Sequence, residues 1–570
     1  MRFAILTLIT MAASAAAPVP KKPVATTPMT LREKIAQLIL APCYGENPNV
    51  QSADYRKFVH WVRDLKVGGL IVLNRVVYGN VRNAEPFAMA AFLNQMQRIA
   101  RTPLLVGADL ERGASMRVAN TTKFPHNMAF GAARDLNATR QEGATVARES
   151  RALGVHWVFA PVADVNNNPD NPVIGTRSFG ERASEVAAHV EAYIDGARSD
   201  PQNKVLVCVK HFPGHGDTAI DSHYGLGSIG GHRKRLDEVE LVPFKAAIRK
   251  NVDGVMTAHL TVPAIEREEI PATVSEPILT GLLRKELGFQ GLIVTDAMDM
   301  AGLTKLFSPG EAAVRALLAG ADVLLMPSNP DAIVNAVAKA VAEGRIGEKR
   351  IDRSVSKIIG AKTRLGLFQK RFVDLEGINK VLESPEMDTI AQSTADRAVT
   401  LVRNDKDVFP LSTASTACLY VLTENRRSTL GLRLMDEVRA RDPRLKTVLL
   451  DSLLPETALN EALPQAGSCK SVIIAAFNGG GTLHPALDAF VSKIVAGSVP
   501  VGLVALGNPY LLKSFPTVAG YLATYSNTPT AELAAVKALF GEIKLNGRLP
   551  VTIPGLANYG DGIQMPARSK

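Results

Sequence analysis

The stretch KHFPGHGDTAIDSHYG, Lys210 to Gly225, puts His211, His215, His223, Asp217 and Asp221 beside a lysine and three glycines, in a chain with only ten histidines. Imidazole titrates near neutrality and also ligates metals. The crowding therefore admits proton transfer, metal binding or an ordinary polar loop. On an extended loop Asp221 and His223, at i and i+2, point the same way. An aspartate on one ring nitrogen fixes the tautomer and stabilises the cation, which leaves the other nitrogen to act as acid or base. Lys210 and His211 end an apolar run, so their side chains diverge unless the strand bends; FPGHG permits such a bend. His211 with His215, or Asp221 with His223, could ligate zinc. No HExxH and no paired Cys/His spacing accompanies them, so no metal or cofactor is expected.

A second candidate is Asp296 in GLIVTDAMD, where an apolar run ends on a carboxylate. Such a group is expensive to bury unless paired or used. It can be a nucleophile, a metal ligand or a hydrogen-bond acceptor. Asp299, farther on, is expected to cap a helix. GADLERGASMRV adds Asp109, Glu111 and Arg117, and NPVIGTRSFGE adds Arg177. Alone, each charge reads equally well as a surface ion pair. Together with Lys210 and His211 they supply the directional donors and acceptors that a polyhydroxylated ligand needs.

These residues must be carried on something. Between residues 30 and 375, short apolar runs alternate with segments of helical spacing such as AEPFAMAAFLNQMQRIA and LVPFKAAIRKN. The runs lie at 68–74, 102–109, 155–165, 205–212, 252–260, 291–299 and 321–328, with QLILAPCY (37–44) a possible earlier one. About eight such units predict a (β/α)8 barrel of parallel strands covered on both faces. The runs end in Asn74, Asp109, Asp164, Lys210-His211, His259 and Asp296. In a barrel these ends meet at one mouth, where active sites are built; for Asn74 and Asp164 a capping role is equally admissible. Residues 376–398 read as a helical connector. Residues 399–570 read as a smaller α/β sandwich domain with a mostly parallel sheet. NGGG (478–481) lacks the spacing of a nucleotide-binding loop.

Composition bounds the rest. The chain has 570 residues, enough for two or three domains, with 46% apolar and 21% charged residues. The formal charge of +10 is spread along the chain, with no basic stripe interleaved with aromatics, so no nucleic acid is expected as partner. Arg2, the apolar run from Ala4 to Ala17 and the small residues of ASAAAP predict a cleaved signal peptide over 1–17 and a Pro-rich linker over 18–29. The protein is then exported, periplasmic or extracellular in a bacterium, with no stable membrane insertion after cleavage. Four cysteines (Cys43, Cys208, Cys418, Cys469) are too few for a disulfide scaffold, and no pairing follows from their positions.

KHFPGHGDTAIDSHYG, FAPVADVNNNPDNPVIGTRSFG and LIVTDAMDM together resemble glycoside hydrolase family 3, in its β-N-acetylglucosaminidase branch. The resemblance covers most of residues 30–370, and LGNPYLLKSFPTVAGYLATYS with GEIKLNGRLPVTIP resembles the sandwich domain of two-domain members. It implies a retaining exo-glycosidase that hydrolyses terminal β-linked N-acetylglucosamine. Asp296 matches the nucleophile, and Asp221 with His223 matches an acid/base dyad. Asp109, Arg117, Arg177, Lys210 and His211 match sugar-binding positions, while His215 and Asp217 match positions that shape the loop. The implied partner is an N-acetylglucosamine-containing oligosaccharide or peptidoglycan fragment. Where the family often has DQEGGRV, this chain has DLERGASMRV, with Leu110 for Gln and Arg112 for a Gly, which leaves details of sugar contact open. A β-glucosidase or an N-acetylglucosaminide phosphorylase of the same family stand as alternatives, as do a metal-dependent barrel hydrolase and a non-catalytic carbohydrate-binding protein.

Overall fold

The computed structural model describes residues 28–78, 80–411, 416–467 and 469–568. The signal segment at 1–17 and nearly all of the linker lie outside them. Eight strands form the barrel: β1 Ile39–Tyr44, β2 Gly69–Leu73, β3 Leu105–Ala108, β4 Trp157–Val158, β5 Leu206–Phe212, β6 Gly254–Thr257, β7 Leu292–Val294 and β8 Leu324–Leu325. Every ladder is parallel, in the order β7-β6-β5-β4-β3-β2-β1-β8. A bridge from Val294 to Val323 closes the ring. All residues of β3 and β5 are buried, as expected for strands covered on both faces. The run at 155–165 keeps only two ladder residues. Pro161 follows shortly and has no N–H to give a ladder, and contact resumes at the single Val162–Lys210 bridge.

Helices return the chain between strands. AEPFAMAAFLNQMQRIA folds as a helix over Pro86–Ile99, started by the Glu85 carboxylate accepting from the Phe87 and Ala88 N–H groups. Its buried face, Met89, Phe92, Leu93 and Met96, has the three-and-four spacing of one helical stripe. No helix among the described residues is long and apolar enough to cross a membrane.

After a 3₁₀ turn at Leu375–Lys380 and a helix at Pro385–Ala398, a second sheet begins. Its strands are β9 Thr400–Asn404, β10 Ala417–Thr423, β11 Lys446–Asp451, β12 Ser471–Asn478, β13 Val501–Gly507 and β14 Gly520–Ala523. Their order is β9-β14-β13-β12-β10-β11, parallel except for β9. Separate apolar cores cover its two faces. A Cys418–Cys469 disulfide ties β10 to the approach of β12, while Cys43 and Cys208 are free and buried.

The two units meet closely. The barrel helix Asn127–Ala133 buries Met128, Ala129 and Ala132 in the core of the second unit. A methyl group added at Gly131 would lie 3.3 Å from Pro550 Cβ, and one at Gly180 would lie 2.6 Å from the Pro550 carbonyl oxygen. Glu181 donates its N–H to Pro550 O at 3.0 Å and accepts from Thr552 N–H and hydroxyl at 2.6 and 2.8 Å.

Candidate active site

Lys210, at the end of β5, sends a buried ammonium to Asp109 at 2.8 Å and Glu111 at 2.7 Å, both just past β3. The chain after Glu111 coils through a 3₁₀ turn, Ala114–Met116, which returns Arg117 to Asp109 at 3.1 Å and to Asn74 Oδ1 at 3.3 Å. Arg177, on the long loop after β4, forks onto Glu111 at 2.8 and 2.9 Å. Burial works against both carboxylates. Lys210 and Arg117 nevertheless lower the Asp109 pKa, and Arg177 and Lys210 hold Glu111 well below the usual range. Burial likewise opposes the Lys210 cation, but Asp109 and Glu111 raise its pKa. The cluster is thus fully charged and mutually compensated, which is the condition under which buried ions persist.

His211 reaches the same cluster, with Nε2 at 3.3 Å from Arg177. Lys210 and His211 line the same cavity rather than diverging. Asp164, fully buried, accepts from the His211 ring at 2.7 Å and from the His211 and His215 N–H groups at 3.1 and 2.7 Å. It braces the loop instead of capping a strand. His215 meets Ser222 at 2.9 Å, and Asp217 pairs with Arg235 at 2.8 Å, so both hold the loop in shape.

Asp296 follows β7. Burial pushes its pKa up, but His211, His259, the Ala297 N–H (2.8 Å) and Lys210 outweigh this and lower it. His259, buried at the end of β6, donates Nε2–H to the Ala297 carbonyl at 2.9 Å, while Nδ1 takes the Thr273 hydroxyl at 2.8 Å. It thereby pins the residue next to Asp296. Asp299 corrects its sequence reading. The helix Ala301–Thr304 is preceded by Met300 and has no side-chain cap, and Asp299 instead lines the cavity beside Asp296. Desolvation and the Asp296 charge raise its pKa, although its backbone N–H opposes this.

Asp221 accepts the His223 ring Nδ1 at 2.7 Å and the His223 N–H at 2.8 Å. The His223 side chain is 55% exposed, so Nε2 is open to a ligand. His223 and Asp296 line one cavity of about 360 Å³, together with Asp109, Glu111, Arg117, Arg177, Lys210 and His211. Every candidate named from the sequence is therefore gathered at one mouth, with Asp221 directly behind His223. Glu111 and His259 join these residues without a specific role assigned from the sequence, and Asp299 joins them against its capping assignment. Glu111 carries a signal in its place two residues past Asp109 and His259 in its place at the end of an apolar run; Asp299 carries none.

The profile of the "Glycosyl hydrolase family 3 N terminal domain" matches residues 30–361. A "Beta-N-acetylglucosaminidase/beta-glucosidase" of Cellulomonas fimi is 28% identical, covering 91% of this chain and 93% of its own. "Beta-hexosaminidase A" of Pseudoalteromonas piscicida is 29% identical, covering 85% and 89%. A solved glycoside hydrolase family 3 beta-N-acetylglucosaminidase from Paenibacillus sp. str. FPU-7 superposes with a TM-score of 0.83 at 32% identity, covering 92% of this chain and 99% of that one.

Proposed function

The chain belongs to glycosyl hydrolase family 3 and is a glycoside hydrolase, and on that premise we propose that it removes terminal β-linked N-acetylglucosamine with retained configuration. The observation that carries the mechanism is the Asp221–His223 pair standing at the cavity that Asp296 also lines. Asp296, kept ionised by its neighbours, attacks the anomeric carbon. The His223 imidazolium gives its proton to the departing oxygen, and a covalent glycosyl-enzyme forms. Neutral His223 then takes a proton from water, which displaces Asp296. Asp221 holds the ring and stabilises its cationic form throughout. Asp109, Glu111, Arg117, Arg177, Lys210 and His211 bind the sugar hydroxyls. A cavity near the lower end of the usual ligand range, roughly 300–1,000 Å³, favours one sugar residue and so an exo action.

The reading is supported by the names of the similar proteins; in the lining of this cavity Asp109 and Glu111 are paired with cations, so Asp299 is the carboxylate that competes with His223 for the acid role. Turnover on aryl β-glycosides with and without a 2-acetamido group tests the substrate. Preference for the plain glucoside would replace the first substrate by the second, an arm favoured by the double name of the Cellulomonas relative. A slow fluorinated substrate should add the mass of one sugar to the peptide containing Asp296. Label on another residue would refute the nucleophile. Phosphate buffer should yield free sugar, and sugar 1-phosphate as main product would make the enzyme a phosphorylase. Export, with an oligosaccharide or peptidoglycan fragment as natural substrate, rests on the N-terminal segment; an intact N-terminus on protein recovered from the cytoplasm alone would refute it.

A further inference from the structure

The opposite end of the barrel holds a second polar cavity, of about 230 Å³. Its wall includes Arg151, in the last turn of the helix Leu136–Leu153, and His156, just ahead of β4. Lys370 and Arg371, on the chain leaving the barrel, complete the basic side. Asp374 is the single acid in the lining among the described residues.

Arg371 spends one donor on the Ala100 carbonyl at 3.1 Å, but Arg151 is left without an acceptor. Nη1 of Arg151 is buried with no hydrogen-bond partner. A cation in the last turn of a helix can meet the negative end of the helix dipole, but the Ser150 and Arg151 carbonyls already accept from Val155 and Gly154. Burial alone lowers the Arg151 pKa; no carboxylate opposes it. His156 Nδ1 accepts the Val106 N–H at 3.2 Å, which leaves the ring proton on Nε2. The neutral ring is thus still a donor, and burial with the nearby Arg151 and Lys362 keeps it neutral. Buried charges are normally paired, and the buried Arg151 Nη1 is not, so with Lys370 and Arg371 beside it this wall is complementary to an anion.

We propose that this cavity binds a tetrahedral oxyanion, either inorganic phosphate or the phosphate group of a monoester, through Arg151, His156, Lys370 and Arg371. A bound anion bridges the floor of the barrel to the segment that leads into the second unit, and so fastens that segment down.

The test is calorimetric titration of the full chain with inorganic phosphate at constant ionic strength, with thermal unfolding alongside. Saturable one-site binding and an unfolding temperature that climbs with phosphate are expected. Arg151→Met should weaken binding on the order of tenfold or more, since a charge-assisted bond is lost. Lys370→Met should weaken it about threefold, and it decides the matter should Arg151→Met not fold. Aryl glycoside kcat/KM should stay unchanged in both. Glucose 6-phosphate as a second probe separates the sources: competition with phosphate extends the site to monoesters, and its absence restricts it to the free ion. No saturable binding, or binding equal in wild type and both variants, overturns the proposal. So does a phosphate response abolished by Lys210→Met but not by Arg151→Met, which would put the anion at the mouth.

Discussion

At the mouth of the barrel the Lys210 ammonium lies 2.8 Å from Asp109 and 2.7 Å from Glu111, whereas at the floor the equally buried Lys362 bonds the amide oxygen of Gln37 at 2.8 Å. The first lysine has its pKa raised by those carboxylates, against the pull of burial. The second is pushed down to about 7 by burial. One side chain in one fold is thus shifted in opposite directions at the two ends of the barrel. Burial does not decide the charge; the partners do. The mouth gathers charges of both signs from β3, β5 and the loop after β4, and keeps them ionised around an opening. The floor gives Lys362 an amide in place of a carboxylate, although Asp322 pairs Arg284 and Lys357 elsewhere on the same end.

The contrast can be broken in several places. Asp296→Ala should lower kcat on an aryl N-acetylglucosaminide by at least ~10⁴-fold with an unchanged circular dichroism spectrum; a tenfold loss would remove Asp296 from the chemistry. His223→Ala should cost roughly 10²–10⁴-fold on substrates with poor leaving groups and far less on activated aryl glycosides. Asp299→Asn should show no such leaving-group dependence. The reverse pattern would make Asp299, with its raised pKa, the proton donor in a two-carboxylate site. Lys210→Met leaves two buried carboxylates without their shared cation and should destabilise by about 3 kcal/mol, read by chemical denaturation. Lys362→Met removes an unpaired base and should be neutral or stabilising at pH 7. Equal losses would erase the distinction between the two ends.

The smallest effects are in the pH dependence of stability. His189 and His215 are buried, and burial lowers each to about 4. Their unfolded values lie near ~6.5, so their stabilising neutrality is complete above that pH and is lost as pH falls through about 4. The unfolding temperature should drop across this window, and less so in His215→Asn. For Lys362 the window runs from ~10.4 down to about 7. Stability should rise with pH across it in the wild type, and Lys362→Met should flatten that rise.

Much of this arrangement was legible in the sequence because apolar strands ending in ionisable residues leave a plain trace. Asp109, Lys210, His211 and Asp296 could each be placed at a strand end before any coordinate was known. Pairing between strands leaves no such trace. Glu111 becomes the common partner of Lys210 and Arg177 only after β3, β5 and a distant loop are brought together, and His259 finds the Ala297 carbonyl across β6 and β7. Asp299 was misread for the opposite reason. A local rule, carboxylate before helix, was applied where the helix begins without a side-chain cap. The strand at 155–165 was read too long because its apolar character continues past Pro161, where the ladder does not.

The loop that bears Arg177 has a second attachment. Its carbonyl is held by Asn127 at 2.7 Å, on the helix whose other residues fill the core of the second unit, and Gly180 and Glu181 are clasped by Pro550 and Thr552. The catalytic segment is therefore not portable at the boundary its family profile suggests. A gene fusion or recombination event that carried residues 30–361 alone would keep Asn127 and Glu111 on Arg177 but lose the Pro550 and Thr552 clasp on Gly180 and Glu181 just beyond it. Lineages that shed the second unit would have to rebuild that grip on the loop from elsewhere.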